Sequence, residues 1–272
     1  MACSAAENGG VKMKIHSKEQ LKQDLCALGI SAGDTVLMHS SYRSLGGVED
    51  GAEGFFLAFM ELLGPEGTLI LPALSYESVT RQQPEFHLAF TPSCVGYLPE
   101  FFRTQVPGVV RSMHPTHSCC MLGKRAAELA ANHELDDTPV GPHSPFAKLP
   151  KISGKILMLG CGLDHNTSMH GVEETAEPPY LFDRTQRVDY ILYDDAGHKL
   201  CQHALRHSFS ANGVRCYEQR YSRVVPLLSE NEASHGPVLC ADSWLLSAAA
   251  VWEKGHRKLL EDPFYFVERQ LV

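Results

Sequence analysis

Two short apolar runs joined by a helical segment constrain this chain more than any other feature. Asp34-Thr-Val-Leu-Met-His39 has the look of a buried strand, closed by the small, polar run Ser40–Gly47. Thr68-Leu-Ile-Leu-Pro72 is the next such run, and between them Phe55–Leu63 is apolar with helical character and stops at Gly64-Pro65. A strand, a helix and a strand in so short a span are close to the minimum for a crossover between parallel strands. That pattern predicts an α/β fold.

The remaining elements are consistent with it. Ser17 with Gln20 forms a capping box, Leu21, Leu25 and Leu28 recur at helical spacing, and Gly29 supplies a C-cap. Short helices are predicted over Val95–Thr104 and Lys124–His133, whereas Thr138–Pro150, with four prolines, is expected to be a loop of fixed backbone. Lys155–Gly160 is the clearest buried strand; Asn166-Thr167 then starts a helix that ends before Pro178-Pro179. Val188–Tyr193 alternates and Asp195-Ala-Gly197 supplies a turn, predicting a hairpin. From about Asp242 the chain is expected to be helical. Residues 1–12 are predicted to be a disordered leader, and 13–272 one domain with a small β-rich insertion.

Charge and cysteine usage narrow the function classes. With 24 Lys and Arg against 32 Asp and Glu the net charge is −8, and no basic stripe of the kind that binds nucleic acid occurs. An acidic surface suits solubility and also attracts a cationic ligand. No apolar run has the roughly 18 residues of a membrane span, and the start MACSAAENGG lacks signal-peptide character. Nine unpaired-looking cysteines then point to reduced thiols and a cytoplasmic location.

Several chemistries drop out on spacing. Gly160-Cys-Gly162 follows a strand, but His165 stands where a dinucleotide fingerprint needs glycine, and there is no phosphate-binding loop of the Walker type. No cysteine pair has the spacing of structural zinc; His203 and His207 lie four apart without an evident third ligand, so no metal is expected. No nucleophile elbow occurs, and Cys119-Cys120 does not open a helix. General acid–base chemistry fares better. His39 closes a buried strand, His170 opens the helix after the strongest strand, and Glu173 shares a helix face with His170, where it can orient the ring. The residues alone point to an α/β enzyme using histidine as a base.

The same residues carry a resemblance. His39-Ser-Ser-Tyr-Arg-Ser-Leu-Gly46, Gly67-Thr68 with Leu71-Pro72, Arg111-Ser-Met-His-Pro115, Ser144-Pro145 and Asn166-Thr-Ser-Met-His170-Gly-Val-Glu173 occur in that order. Together they resemble the aminoglycoside 3-N-acetyltransferase family, acetyl-coenzyme A enzymes of antibiotic resistance. The resemblance implies a mixed central β-sheet with helices on both faces. It also implies transfer of an acetyl group from acetyl-CoA to the 3-amino group of an aminoglycoside.

What it implies residue by residue is equally concrete. His170 is the expected base, Glu173 its orienter, and His39 the second histidine at the acyl end. The cradle for acetyl-CoA is expected from Ser40, Ser41, Arg43, Ser44, Leu45 and Gly46, with Arg111 and Ser112 as further contacts. Carboxylates for a polycationic acceptor are expected among Glu77, Glu174, Glu177, Asp183 and Asp189. Transfer is expected to be direct, without an acetyl-enzyme. After Glu173 the chain reads Glu174-Thr-Ala-Glu-Pro178-Pro179, which departs from the family's usual acidic-aromatic-arginine continuation. A non-antibiotic amine is therefore kept as the alternative acceptor, and a non-enzymatic binder of cations as a distant third reading.

Overall fold

A computed structural model describes residues 14–270, so the expected leader over 1–12 lies outside the described residues. Seven helices are present: α1 Lys18–Leu28, α2 Gly51–Leu63, α3 Tyr97–Gln105, α4 Ala126–Ala130, α5 Pro145–Lys148, α6 Ser168–Ala176 and α7 Ala248–Glu261. The central sheet has seven strands: β1 Thr35–Ser40, β2 Thr68–Pro72, β3 Val110–Arg111, β4 Cys119–Gly123, β5 Lys155–Leu159, β6 Ala233–Val238 and β7 Ala241–Ser247. Their order is β6-β7-β5-β1-β2-β4-β3. The β1 strand runs parallel to β2 and β5, as the crossover pattern requires, and the outer pairs are antiparallel. The sheet is mixed.

Alternation along β1 explains how helices cover both faces. Val36 and Met38 pack with α1, α2 and α3 through Leu21, Leu25, Phe55, Phe59 and Phe102. Leu37 points the other way, into a second core with Met169 and Val172 of α6 and Val251 and Leu259 of α7. By the same period-two rule His39 shares a face with Leu37, on the α6 side. Because β1 and β5 are parallel neighbours, with His39 paired to Met158 and Ser40 to Leu159, their carboxyl ends leave the sheet at one edge. There the chain after β1 and the helix after β5 meet, the usual place for a site in such a sheet. The expected hairpin forms between Val188–Tyr193 and Lys199–Ala204 and is joined by Glu85–His87 in a separate three-stranded sheet. Among the described residues no helix is long and apolar enough to cross a membrane.

Four local expectations need correction. The chain after Asp242 is strand β7 up to Ser247, and helix begins only at Ala248. Helix α4 covers just Ala126–Ala130, because Asn132 turns left-handed (φ 66°) and a short 3-10 turn follows. Thr138–Pro150 is not all loop: Ser144 caps α5 by accepting from the Ala147 N–H, with Pro145 at the first helical position. Ser17 caps α1 as expected, but the Gln20 side chain reaches forward to Asp24 rather than back to the cap.

Candidate active site

A cleft of about 570 Å³ opens at the carboxyl edge of β1 and β5, and both His39 and His170 line it. The turn at Gly160 brings the two elements together. Its φ of 67° is left-handed, and a Cβ there would stand 2.7 Å from Ser44 Cβ and 2.9 Å from Ala241 Cβ, so only glycine fits.

His170 is held at one nitrogen. Its Nδ1 lies 2.8 Å from the Tyr221 hydroxyl and 3.3 Å from Glu173 Oε2. Tyr221 donates to that same Oε2 at 2.7 Å, and Tyr180 donates to Oε1 at 2.7 Å. Both phenols are kept protonated by burial and by the neighbouring Glu173 charge, which push their pKa values up. Glu173 is fully buried, so hydrogen bonding to the carboxylate is what makes it tolerable there. With oxygen acceptors at Nδ1, that nitrogen carries the proton and Nε2 keeps its lone pair. Tyr221 opens the 3-10 turn Tyr221–Leu227, and Asp164 ties down its start by accepting from the Ser222 N–H at 2.7 Å.

His39 is 7 % exposed, and its Nε2 and the neighbouring Ser40 Oγ find no partner within the protein. Burial, with His165 and His170 adding to it, pushes its pKa down to about 3, so the ring is neutral. Three further histidines, His117, His165 and His207, line the cleft. His117 is presented by a turn in which His114 Nδ1 accepts from the N–H groups of Thr116 and His117, at 3.2 and 3.0 Å. Two cysteines, Cys94 and Cys161, also reach the cleft. Burial pushes both thiols up, Cys161 to about 11, so neither offers a thiolate at neutral pH.

Of the residues expected to cradle the acyl donor, Ser40 alone lines the cleft. Ser41 and Ser44 tie the loop down instead: their hydroxyls lie 2.8 Å apart and Ser44 donates to the Gly160 carbonyl at 3.0 Å. Leu45 is buried in the core, Arg43 is exposed, and the Gly46 N–H returns to the Arg43 carbonyl. Arg111 and Ser112 do not line the cleft and are bonded inside the core. The Arg111 guanidinium is buried over the Phe86 ring and donates to Ser118 and to the carbonyls of Ala73, Leu88 and Thr91. Ser112 Oγ bonds to Cys119 and His133 in the core.

None of the five expected carboxylates lines the cleft. Glu77 is exposed next to Tyr76 at its rim. Glu174 is buried behind His207, 2.7 Å from its Nε2, and burial raises its pKa to about 7. Glu177 pairs with Arg184 at the surface, Asp183 bonds to Thr185, and Asp189 pairs with His203 in the hairpin. The permanent charges that do line the cleft are Asp164, Arg206 and Arg215. Arg206 is committed to the Val79 and Tyr76 carbonyls and the Tyr190 hydroxyl. Sequence reasoning missed Tyr221, Tyr180, His117 and Asp164. The short spacing from His114 to His117 is the one signal the sequence offers for His117; the phenols carry none.

Comparison with known proteins gives the family. A family model described as aminoglycoside 3-N-acetyltransferase matches residues 37–259. The chain belongs to the aminoglycoside 3-N-acetyltransferase family. It is 30 % identical over 266 residues to aminoglycoside N(3)-acetyltransferase IX of Micromonospora chalcea, covering 87 % of this chain and 90 % of that one. Similarity to aminoglycoside N(3)-acetyltransferase VII of Streptomyces paromomycinus, at 34 % identity, covers 60 % of this chain and 62 % of that enzyme. Among solved acetyltransferases of the family, AAC-IIIb as its binary complex with CoASH superposes with TM-score 0.74 at 28 % identity, covering 91 % of this chain and 97 % of that one. A variant of AAC(3)-IVa in complex with a gentamicin gives TM-score 0.78 at 28 % identity, covering 94 % of this chain and 93 % of that one.

Proposed function

We propose that this acetyltransferase moves the acetyl group of acetyl-CoA directly to an amine, with His170 as general base, and that the acceptor is the 3-amino group of an aminoglycoside. The observation that carries the reading is the Glu173–Tyr221–His170 arrangement: Nδ1 is held by oxygens in the protein and the ring lines the cleft that also holds His39. The donor is supported by the neighbour solved with CoASH, and the acceptor class by the neighbour solved with a gentamicin.

The chemistry follows. A neutral amine attacks the thioester carbonyl, His170 Nε2 takes the proton released as the C–N bond forms, and the C–S bond breaks. The imidazolium then returns that proton to the departing sulfur, giving the amide and the free thiol of coenzyme A. Glu173 stabilises the imidazolium; neutral His39 with Ser40 supplies donors beside the thioester oxygen. With Cys94 and Cys161 held as thiols, neither cysteine of the cleft is an activated nucleophile for a covalent acetyl-enzyme.

A second acceptor is favoured by one observation. Two arginines and a single aspartate line the cleft, which is poor company for a polycation and better suited to an amine of lower charge. Release of free thiol from acetyl-CoA with a panel of aminoglycosides separates the two. Turnover on several of them is expected; none on any, alongside turnover on simple amines, transfers the case to the second acceptor.

A further inference from the structure

Three histidines from distant stretches converge at one wall of the cleft. His117 comes from the turn before β4, His170 from α6, and His207 from the segment after Lys199–Ala204; one nitrogen of each lies within 4.8 Å of the others. Their outer partners distinguish this group from ordinary ring packing. His117 Nδ1 is 2.9 Å from Thr116 Oγ1, His170 Nδ1 is 2.8 Å from the Tyr221 hydroxyl, and His207 Nε2 is 2.7 Å from Glu174 Oε1. Each ring is thus oriented by an oxygen at one nitrogen, and the second nitrogen of each has no protein partner among the described residues. Metal-ligating histidines are oriented in this way, one nitrogen to a carboxylate or other oxygen and the other to the ion. Glu173 and Glu174 stand behind two of the three rings, which favours a cation in front of them.

We propose that His117, His170 and His207 form a binding site for a divalent transition metal of zinc type, with its fourth position open to the cleft. Tetrahedral zinc with three imidazoles sets the nitrogens about 3.4 Å apart. The nitrogens, which lie within 4.8 Å of one another, must therefore draw together by up to roughly 1.4 Å when the ion binds. The ion takes the lone pair of His170, the atom that the acetyl transfer proposed above uses as base. Metal binding and transfer are then mutually exclusive, and this second half rests on that reading; the site itself does not.

The test uses the full chain, stripped with a chelator and titrated with Co²⁺ in the absence of coenzyme A. One Co²⁺ per chain, with an intense visible ligand-field band abolished by Zn²⁺, is expected. His117→Gln and His207→Gln should each weaken the ion at least tenfold, in proteins checked for native circular dichroism. No band in the native protein overturns the site whether or not the variants fold, and so does a band unchanged in both variants. Zn²⁺ should also suppress acetylated product, read by mass spectrometry, over the concentrations at which it binds. Binding without suppression overturns the exclusion. Binding in a chain that acetylates nothing keeps the site and removes the reading above.

Discussion

At the scale of single residues the site turns on which nitrogen of His170 is free. Replacing the ring tests the role directly. His170→Ala is expected to leave coenzyme A affinity nearly unchanged, because His39 and Ser40 at the end of β1 are untouched, while turnover falls by about 10²- to 10⁴-fold. Raising the pH should restore part of the loss, since more acceptor amine is then already neutral. His39→Ala, measured in the same assay, is the control; a base-like profile there with an active His170 variant reverses the two roles. His170 and Glu173 were legible in the sequence because i and i+3 positions share a helix face. Tyr221 was not. It lies 48 residues from Glu173 along the chain, brought there by a turn whose start Asp164 ties down and by burial of its ring in the core. Arg111 misled for the opposite reason: its motif is real, but its fork is satisfied by carbonyls in the core.

At the scale of elements, the carrier of the base is the short helix α6, and its hold on the fold runs through α7. The Trp252 indole donates to Ser168 Oγ at 2.8 Å, and its ring occupies the space beside Gly171. A Cβ on Gly171 would stand 2.3 Å from the Trp252 ring. Gly171→Ala should therefore destabilise the protein by about 1–3 kcal/mol, the usual penalty of overpacking, despite alanine's better helix propensity. Denaturant unfolding measures it; an unchanged or raised midpoint would show that α7 does not press on α6. Sequence pattern places β1, β2, β5 and α1, together with the end of α2, helix α6 and the hairpin from Val188, elements marked by caps, glycines or prolines. The β7 strand was mistaken for helix because Trp244-Leu-Leu246 is apolar without alternation. Paired on both edges, β7 buries Leu245 and Leu246 in succession, one in each core, and that end of the strand has no period to distinguish it from a buried helix.

At the scale of the whole molecule, histidine burial sets how the fold responds to acid. Burial pushes the pKa values of His39 and His114 down to about 3, and those of His117, His133 and His207 well below the ordinary value. For such groups the unfolded chain binds more protons than the folded one from about pH 6.5 downward, so stability falls as pH falls through that window. By pH 5 each of His39 and His114 alone removes roughly 2 kcal/mol. Glu174 acts in the opposite sense. Its folded pKa of about 7 lies above the unfolded value, so it adds stability as pH falls from 7 toward 4.5, enough to offset about one histidine. The carboxylates whose pKa values are lowered by ion pairing, such as Glu61, Glu100 and Glu232, lose their contribution only below about pH 4.5. Between pH 7 and 5 the histidines therefore prevail, and the urea midpoint should drop steadily over those two units. A midpoint that holds level, or rises toward pH 5, would mean that the buried rings are already charged in the folded protein. In that case His39 could not sit neutral beside the thioester.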